Sequence, residues 1–130
     1  MQPANVTIDA AFLARVYHGD DPHGFAQFIG QAAASPHFLV MAFQPNALGV
    51  LELRQSTYEL GKVAYGHTLT GDWKILRIGF EAAKLAGCDH FIYPIAHEQE
   101  NRPQLEKLLT ERYGFVPYQH HFLRRLNDTP

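Results

Sequence analysis

The chain has 130 residues, 46% of them hydrophobic and 12% aromatic, and this composition predicts a single globular domain over residues 1–130. A formal net charge of −2 gives no electrostatic reason to bind nucleic acid or an anionic membrane. No apolar run approaches the roughly 20 residues that cross a bilayer, and one cysteine cannot form an internal disulfide. We therefore expect a soluble, cytoplasmic protein.

The first part of the chain predicts a helical hairpin. Asp9 is a suitable N-cap for a first helix, and Ser35-Pro36 ends a second one. In both segments apolar residues recur at helical spacing, which indicates one buried face each. These residues are Phe12, Leu13, Val16 and Tyr17 in the first helix and Phe25, Phe28, Ile29 and Ala32 in the second.

Three strands are predicted next. Residues 38–43 form a continuous apolar run, closed by the turn signal at residues 44–46. Residues 47–56 alternate between apolar and polar side chains, and residues 59–67 follow after a turn. The simplest pairing of these consecutive strands is an antiparallel meander.

A polar loop and an amphipathic helix follow. The loop covers residues 69–73, Gly71 and Asp72 begin the helix, and Gly87 is its stop signal. The apolar stripe of this helix contains Trp73, Leu76, Phe80 and Ala83. A strand over residues 90–96 then enters from a helix, so we expect it to lie parallel to the strand that ends at His67.

The last elements are a helix and an extended segment. Asn101 and Pro103 open the helix, which places Leu105, Leu108, Leu109 and Tyr113 inward and ends at Gly114. Residues 115–126 are predicted to be extended. The whole order of elements predicts an α+β fold with a mixed, mostly antiparallel central sheet.

With this order of elements, residues 38–126 resemble the GNAT (Gcn5-related N-acetyltransferase) superfamily. The segment LLTERYGF at residues 108–115 is similar to the helix ending "LYEKLGF" of that family. The resemblance implies helices on both faces of the sheet. It also implies that the parallel pair, residues 62–67 and 91–96, splays apart to admit acyl-CoA.

The resemblance further implies that the pyrophosphate of acetyl-CoA binds where the third helix begins, through a loop pattern Q/R-x-x-G-x-G/A. In this chain Thr70 takes the Q/R position, and Trp73 and Ile75 replace the two required glycines. Side chains of Lys74 and Arg77 offer another way to neutralise the anion, although both also suit a solvated face. The predicted cofactor-binding residues are Leu69, Thr70, Gly71, Asp72, Trp73, Lys74 and Arg77.

Transfer to an amine needs a base, and the predicted catalytic residues are Glu52, Tyr65, His67 and His97. Carboxylates on central strands serve this purpose in the family, and imidazole titrates near neutral pH. An exposed cross-strand ion pair is the alternative interpretation of Glu52. Thr110 stands where the family places a tyrosine that protonates the departing thiolate. The eight histidines have no metal-ligand spacing, so no metal site is predicted.

Two functions remain open at the level of sequence. The first is an acyl-CoA-dependent N-acyltransferase that acetylates a small-molecule or peptide amine by direct attack. The second is a non-catalytic structural or protein-binding component with the same fold, because the degenerate loop also resembles GNAT-like proteins of tailed bacteriophages, some of them virion components. The sequence leaves the oligomeric state open, a homo-oligomer included.

Overall fold

A computed structural model of the protein describes residues 8–43, 45–55, 60–70, 73–96 and 99–118. The chain divides into two compact units, Met1–Pro94 and Ile95–Pro130. The expectation of one domain over residues 1–130 stays a prediction. No helix among the described residues is both long and apolar enough to span a membrane.

The predicted helical hairpin is present in the first unit. Helix α1 covers Ala10–Val16 and helix α2 covers Pro22–Ala33. Asp9 caps α1 as expected, because its Oδ1 accepts a hydrogen bond of 2.9 Å from the backbone N–H of Phe12. Asp21 caps α2 in the same way through the N–H of Gly24, also at 2.9 Å.

The sheet of this unit has four strands in the order β1-β2-β3-β4. These are β1 (Phe38–Phe43), β2 (Ala47–Gln55), β3 (Lys62–Thr70) and β4 (His90–Ile92). The pairs β1–β2 and β2–β3 are antiparallel, whereas β3 and β4 are parallel. The predicted α+β class, the meander and the parallel pair are thus confirmed.

The parallel pair is shorter than predicted. It runs from Val63↔His90 to Tyr65↔Ile92, so the strand expected over residues 90–96 ends at Ile92. Pro94, which has no N–H to donate, follows two residues later. Beyond Tyr65, β3 continues to Thr70 with no strand partner on its β4 side among the described residues.

Helices pack on both faces of the sheet. Helix α3 (Lys74–Leu85) ends before Gly87, whose φ of 84° is the left-handed conformation expected of a stop signal. Helices α1 and α2 pack on one face through Phe12, Val16, Ile29 and Ala32 against Ala42, Leu48 and Val50. On the opposite face, α3 packs through Ile75 and Ala83 against Met41, Phe43, Ala47, Leu51 and Ala64.

The second unit contains helix α4 (Arg102–Tyr113), which ends at Gly114 with a φ of 74°. Leu105 and Leu109 are its buried residues, whereas Leu108 and Tyr113 are only half-buried. Residues 115–118 form no strand, and the rest of the predicted extended segment lies outside the described residues.

Candidate functional site

The candidate site lies on the sheet face that α1 and α2 cover. Phe38, Glu52 and Tyr65 are direct cross-strand neighbours on β1, β2 and β3, so they form one row across the sheet. Residues paired in this way point to the same face. His67 follows Tyr65 along β3, with 5.0 Å between the two ring centroids.

Glu52 is the centre of a small hydrogen-bonded cluster. Its Oε1 atom accepts a bond of 2.9 Å from the Arg54 guanidinium and lies 2.6 Å from Nε2 of His67. These hydrogen bonds, first that from Arg54 and then that from His67, hold the pKa of the Glu52 carboxyl below its usual value, against the opposing effect of partial burial. Glu52 is therefore ionised at neutral pH.

An ionised carboxylate only accepts hydrogen bonds, and this fixes the tautomer of His67. The proton shared with Glu52 must sit on Nε2 of the imidazole, so neutral His67 carries its free lone pair on Nδ1. The lowered pKa makes Glu52 itself a poor proton acceptor. The geometry thus favours His67 as the base and Glu52 as the group that orients it.

A β-bulge lies at His67. Val50 pairs with Thr68 while the next residue, Leu51, pairs with Gly66, which leaves His67 as the extra residue of β3. Bulges re-aim a side chain and are common beside active sites. This irregularity places His67 just beyond the last parallel pair, Tyr65↔Ile92.

Aromatic rings surround the imidazole of His67. The ring centroids of Phe28 and Phe38 each lie 5.7 Å from it, and that of Tyr65 lies 5.0 Å from it. The side chains of His67 and Glu52 remain 28% and 27% exposed. The pair is therefore held in place by packing but can still be reached from solvent.

The predicted catalytic residues are placed as follows. Three of them, Glu52, Tyr65 and His67, come together, whereas His97 lies outside the described residues. Arg54 is not among the predicted site residues, and Phe28 is predicted only on the buried face of the second helix. The alternation of β2 already places Arg54 on the face of Glu52, but only the folded structure reveals that Phe28 of α2 and Phe38 of β1 contact His67.

Two predicted cofactor-binding residues belong to β3 and not to a loop. Leu69 packs against the core beneath α3, and the Oγ1 of Thr70 donates a hydrogen bond of 3.3 Å to the carbonyl of Val16. Both residues continue the alternation of β3, so the predicted strand end at His67 is corrected to Thr70. Their side chains join β3 to the neighbouring helices.

The start of α3 also differs from expectation. Gly71 and Asp72 lie outside the described residues, and Trp73 occupies the N-cap position with no capping bond from its side chain. Trp73 is 40% exposed, so its predicted place on the apolar stripe is wrong, and Ile75, 3% exposed, packs there instead.

Lys74 and Arg77 are exposed in the first turns of α3. Because Ile75 points into the core, its side chain does not fill the space outside the helix start. The N-terminal N–H groups of a helix carry partial positive charge, to which two exposed cations add. The described residues at this position therefore suit an anionic group.

Comparison with known proteins identifies the fold alone. No protein-family model and no curated protein matches the chain. The chain is similar to the crystal structure of a point mutant of TTHA1254 from Thermus thermophilus, with a TM-score of 0.58 and 15% sequence identity. The match covers 99% of this chain and 98% of that one, so the similarity extends over both units.

Proposed function

We propose that this protein is a GNAT-fold N-acyltransferase that moves the acetyl group of acetyl-CoA to an amine in the cytoplasm. The hydrogen bond of 2.6 Å between Glu52 and His67 is the observation that carries the proposal, because it sets an oriented base on the central sheet. The order of elements and the helix ending at residues 108–115 support it through their resemblance to that superfamily.

The reaction follows from the tautomer of His67. The nitrogen of the amine forms a bond to the thioester carbonyl carbon, and Nδ1 of His67 accepts the proton that this nitrogen loses. The C–S bond breaks and the sulfur leaves with the electron pair. Ionised Glu52 stabilises the imidazolium while it exists. Acetyl-CoA supplies the activated acyl group when it is bound.

The start of α3 fits the anionic part of that substrate. Lys74 and Arg77 are exposed cations in its first turns, and the side chain of Trp73 makes no capping bond to the helix. In this proposal side-chain cations replace part of the backbone cradle that the missing glycines would form. Among the described residues no strand pairs with β3 on its β4 side beyond Tyr65, and in this proposal an extended ligand lies there, beside His67.

Calorimetric titration with acetyl-CoA tests the proposal. We expect saturable binding with a micromolar Kd, weakened by about tenfold in Lys74→Ala, since one charge-assisted contact contributes about 1.5 kcal/mol. Lys84→Ala is the matched control, because Lys84 is exposed in the last turn of the same helix, and it should bind normally. The absence of any binding at millimolar acetyl-CoA would contradict the proposal.

A non-catalytic component that binds a protein, as in a phage virion, is the second candidate. The exposure of Trp73 favours it, because aromatic side chains at the surface are typical anchors of protein interfaces. The same titration with Trp73→Gly separates the two. An acyltransferase should bind acetyl-CoA at least as well once the indole is removed, whereas an interaction protein should bind it in neither form.

A further inference from the structure

Arg54 makes two contacts that fix its guanidinium beside the candidate base. It donates to Oε1 of Glu52 at 2.9 Å, and its Cζ lies 3.8 Å from the centroid of the Tyr65 ring. His67 approaches the same carboxylate oxygen at 2.6 Å. The donating nitrogens of Arg54 and His67 are therefore separated by no more than about 5.5 Å.

The hydrogen-bonded cluster of His67 contains two charged side chains. Strand β2 contributes Glu52 and Arg54, and β3 contributes the neutral phenol of Tyr65. The rings that α2 and β1 bring against the imidazole, Phe28 and Phe38, carry no charge. Arg54 is a permanent positive charge that opposes the negative charge of Glu52 in this cluster.

We propose that Arg54 is a positioning residue that shares Oε1 of Glu52 with His67, so that its charge offsets the charge of the carboxylate that orients the imidazole. The effect of Arg54 on Glu52 and His67 does not depend on the proposed function, but its role in catalysis does. Glu52 alone would favour the imidazolium, which cannot accept a proton from an amine. Arg54 offsets that effect and also orients the carboxylate through its contact with Tyr65.

The direct test is an NMR titration of the His67 imidazole in the full chain. Arg54→Gln removes the charge, and we expect His67 to take up its proton about one pH unit higher than in the wild type, as Coulomb repulsion at this separation predicts for partly solvated groups. Arg54→Lys keeps the charge and should titrate close to the wild type. Lys84→Gln makes the same change of net charge on α3, which packs on the opposite face, and is the matched control because Lys84 is an exposed residue outside the proposed sites.

A second readout uses the reaction. In Arg54→Gln the acid limb of the pH–rate profile should move to higher pH by the same number of pH units as the NMR titration. The activity at alkaline pH should be largely kept. Arg54 is partly exposed, with a side chain 44% accessible, so the variant should fold, and Arg54→Met provides a second uncharged variant that keeps contact with Tyr65.

The outcomes separate the two proposals. A shifted titration in both uncharged variants, with no acetyl transfer by any form, would support the pairing of Arg54 with His67 and overturn the acyltransferase. An unchanged titration in both would overturn the role of Arg54, whatever the activity. A shift of equal size in Lys84→Gln would also overturn it, because the effect would then be one of net charge.

Discussion

Among single side chains, Glu52 links two others, because Arg54 and His67 both donate to its Oε1. The carboxylate remains partly exposed, so each bond contributes modestly to stability. Its greater effect is on chemistry, since an ionised Glu52 decides which nitrogen of His67 is available. The alternative prediction for Glu52 was a cross-strand ion pair, whereas the ion pair formed with Arg54 joins two residues of the same strand.

Stability at acid pH should report this arrangement. Folding lowers the pKa of Glu52 below its ordinary value of 4.5, so its contribution is fully present above that value and is lost as the pH falls through the lower pKa of the native state. We expect the wild type to lose on the order of 1 kcal/mol from this group below pH 4.5. In Glu52→Gln this loss of stability at acid pH should be absent.

Urea unfolding of both proteins at several pH values measures the difference. His37→Gln, an exposed change on the residue just before β1, serves as a control for the general effect of substitution. If the free energy of unfolding depended on pH in the same way for the wild type and Glu52→Gln between about pH 5 and pH 3, the carboxylate would have no native partners in solution.

Among the elements, α3 is where the sequence and the structure can be compared most closely. Its end at Gly87 and its buried Leu76 and Ala83 were predictable from helical spacing. The exposure of Trp73 was not predictable in this way, since its backbone at the N-cap is already helical while the residue is 40% exposed. The strand end at Thr70 was missed because a polar Thr-Gly-Asp sequence favours a loop, whereas pairing of Leu48 with Thr70 continues the ladder.

The contrast between two leucines of α3 tests its predicted packing. Leu76 is 1% exposed, and Leu76→Ala should lower the free energy of unfolding by about 2–5 kcal/mol, since it removes buried methyl groups and leaves a cavity. Leu85 is 90% exposed, and Leu85→Ala should change stability by less than about 0.5 kcal/mol. Equal effects in chemical denaturation would mean that α3 packs through another face.

The site was less predictable than the elements, for a physical reason. Alternation along a strand places Tyr65 and His67 together, and this can be predicted without knowing which strands pair with β3. The hydrogen bond from His67 to Glu52 depends on the register of β2 with β3 and on the bulge at His67, which lies opposite Val50 and Leu51. A local sequence pattern does not encode the register between β2 and β3, because the packing of both faces of the sheet decides that register.

At the level of the whole molecule, fold and function rest on separate observations. The fold agrees with the predicted α+β class and with the similarity to the Thermus thermophilus structure at 15% identity. A shared fold hosts many activities, so function must be argued from the residues of the site. The cluster around Glu52 and His67 is the part of the described structure that gives this fold a chemical capability.

The most direct test of that capability is amine-dependent release of free CoA from acetyl-CoA, measured for the wild type and His67→Gln against a panel of small primary amines and lysine peptides. We predict release by the wild type and a loss of about 10²–10⁴-fold in kcat for His67→Gln, the usual contribution of a positioned base. Leu85→Ala should be fully active. No release with any amine, or equal rates in the wild type and His67→Gln, would contradict the assignment of His67 as the base of an acyltransferase.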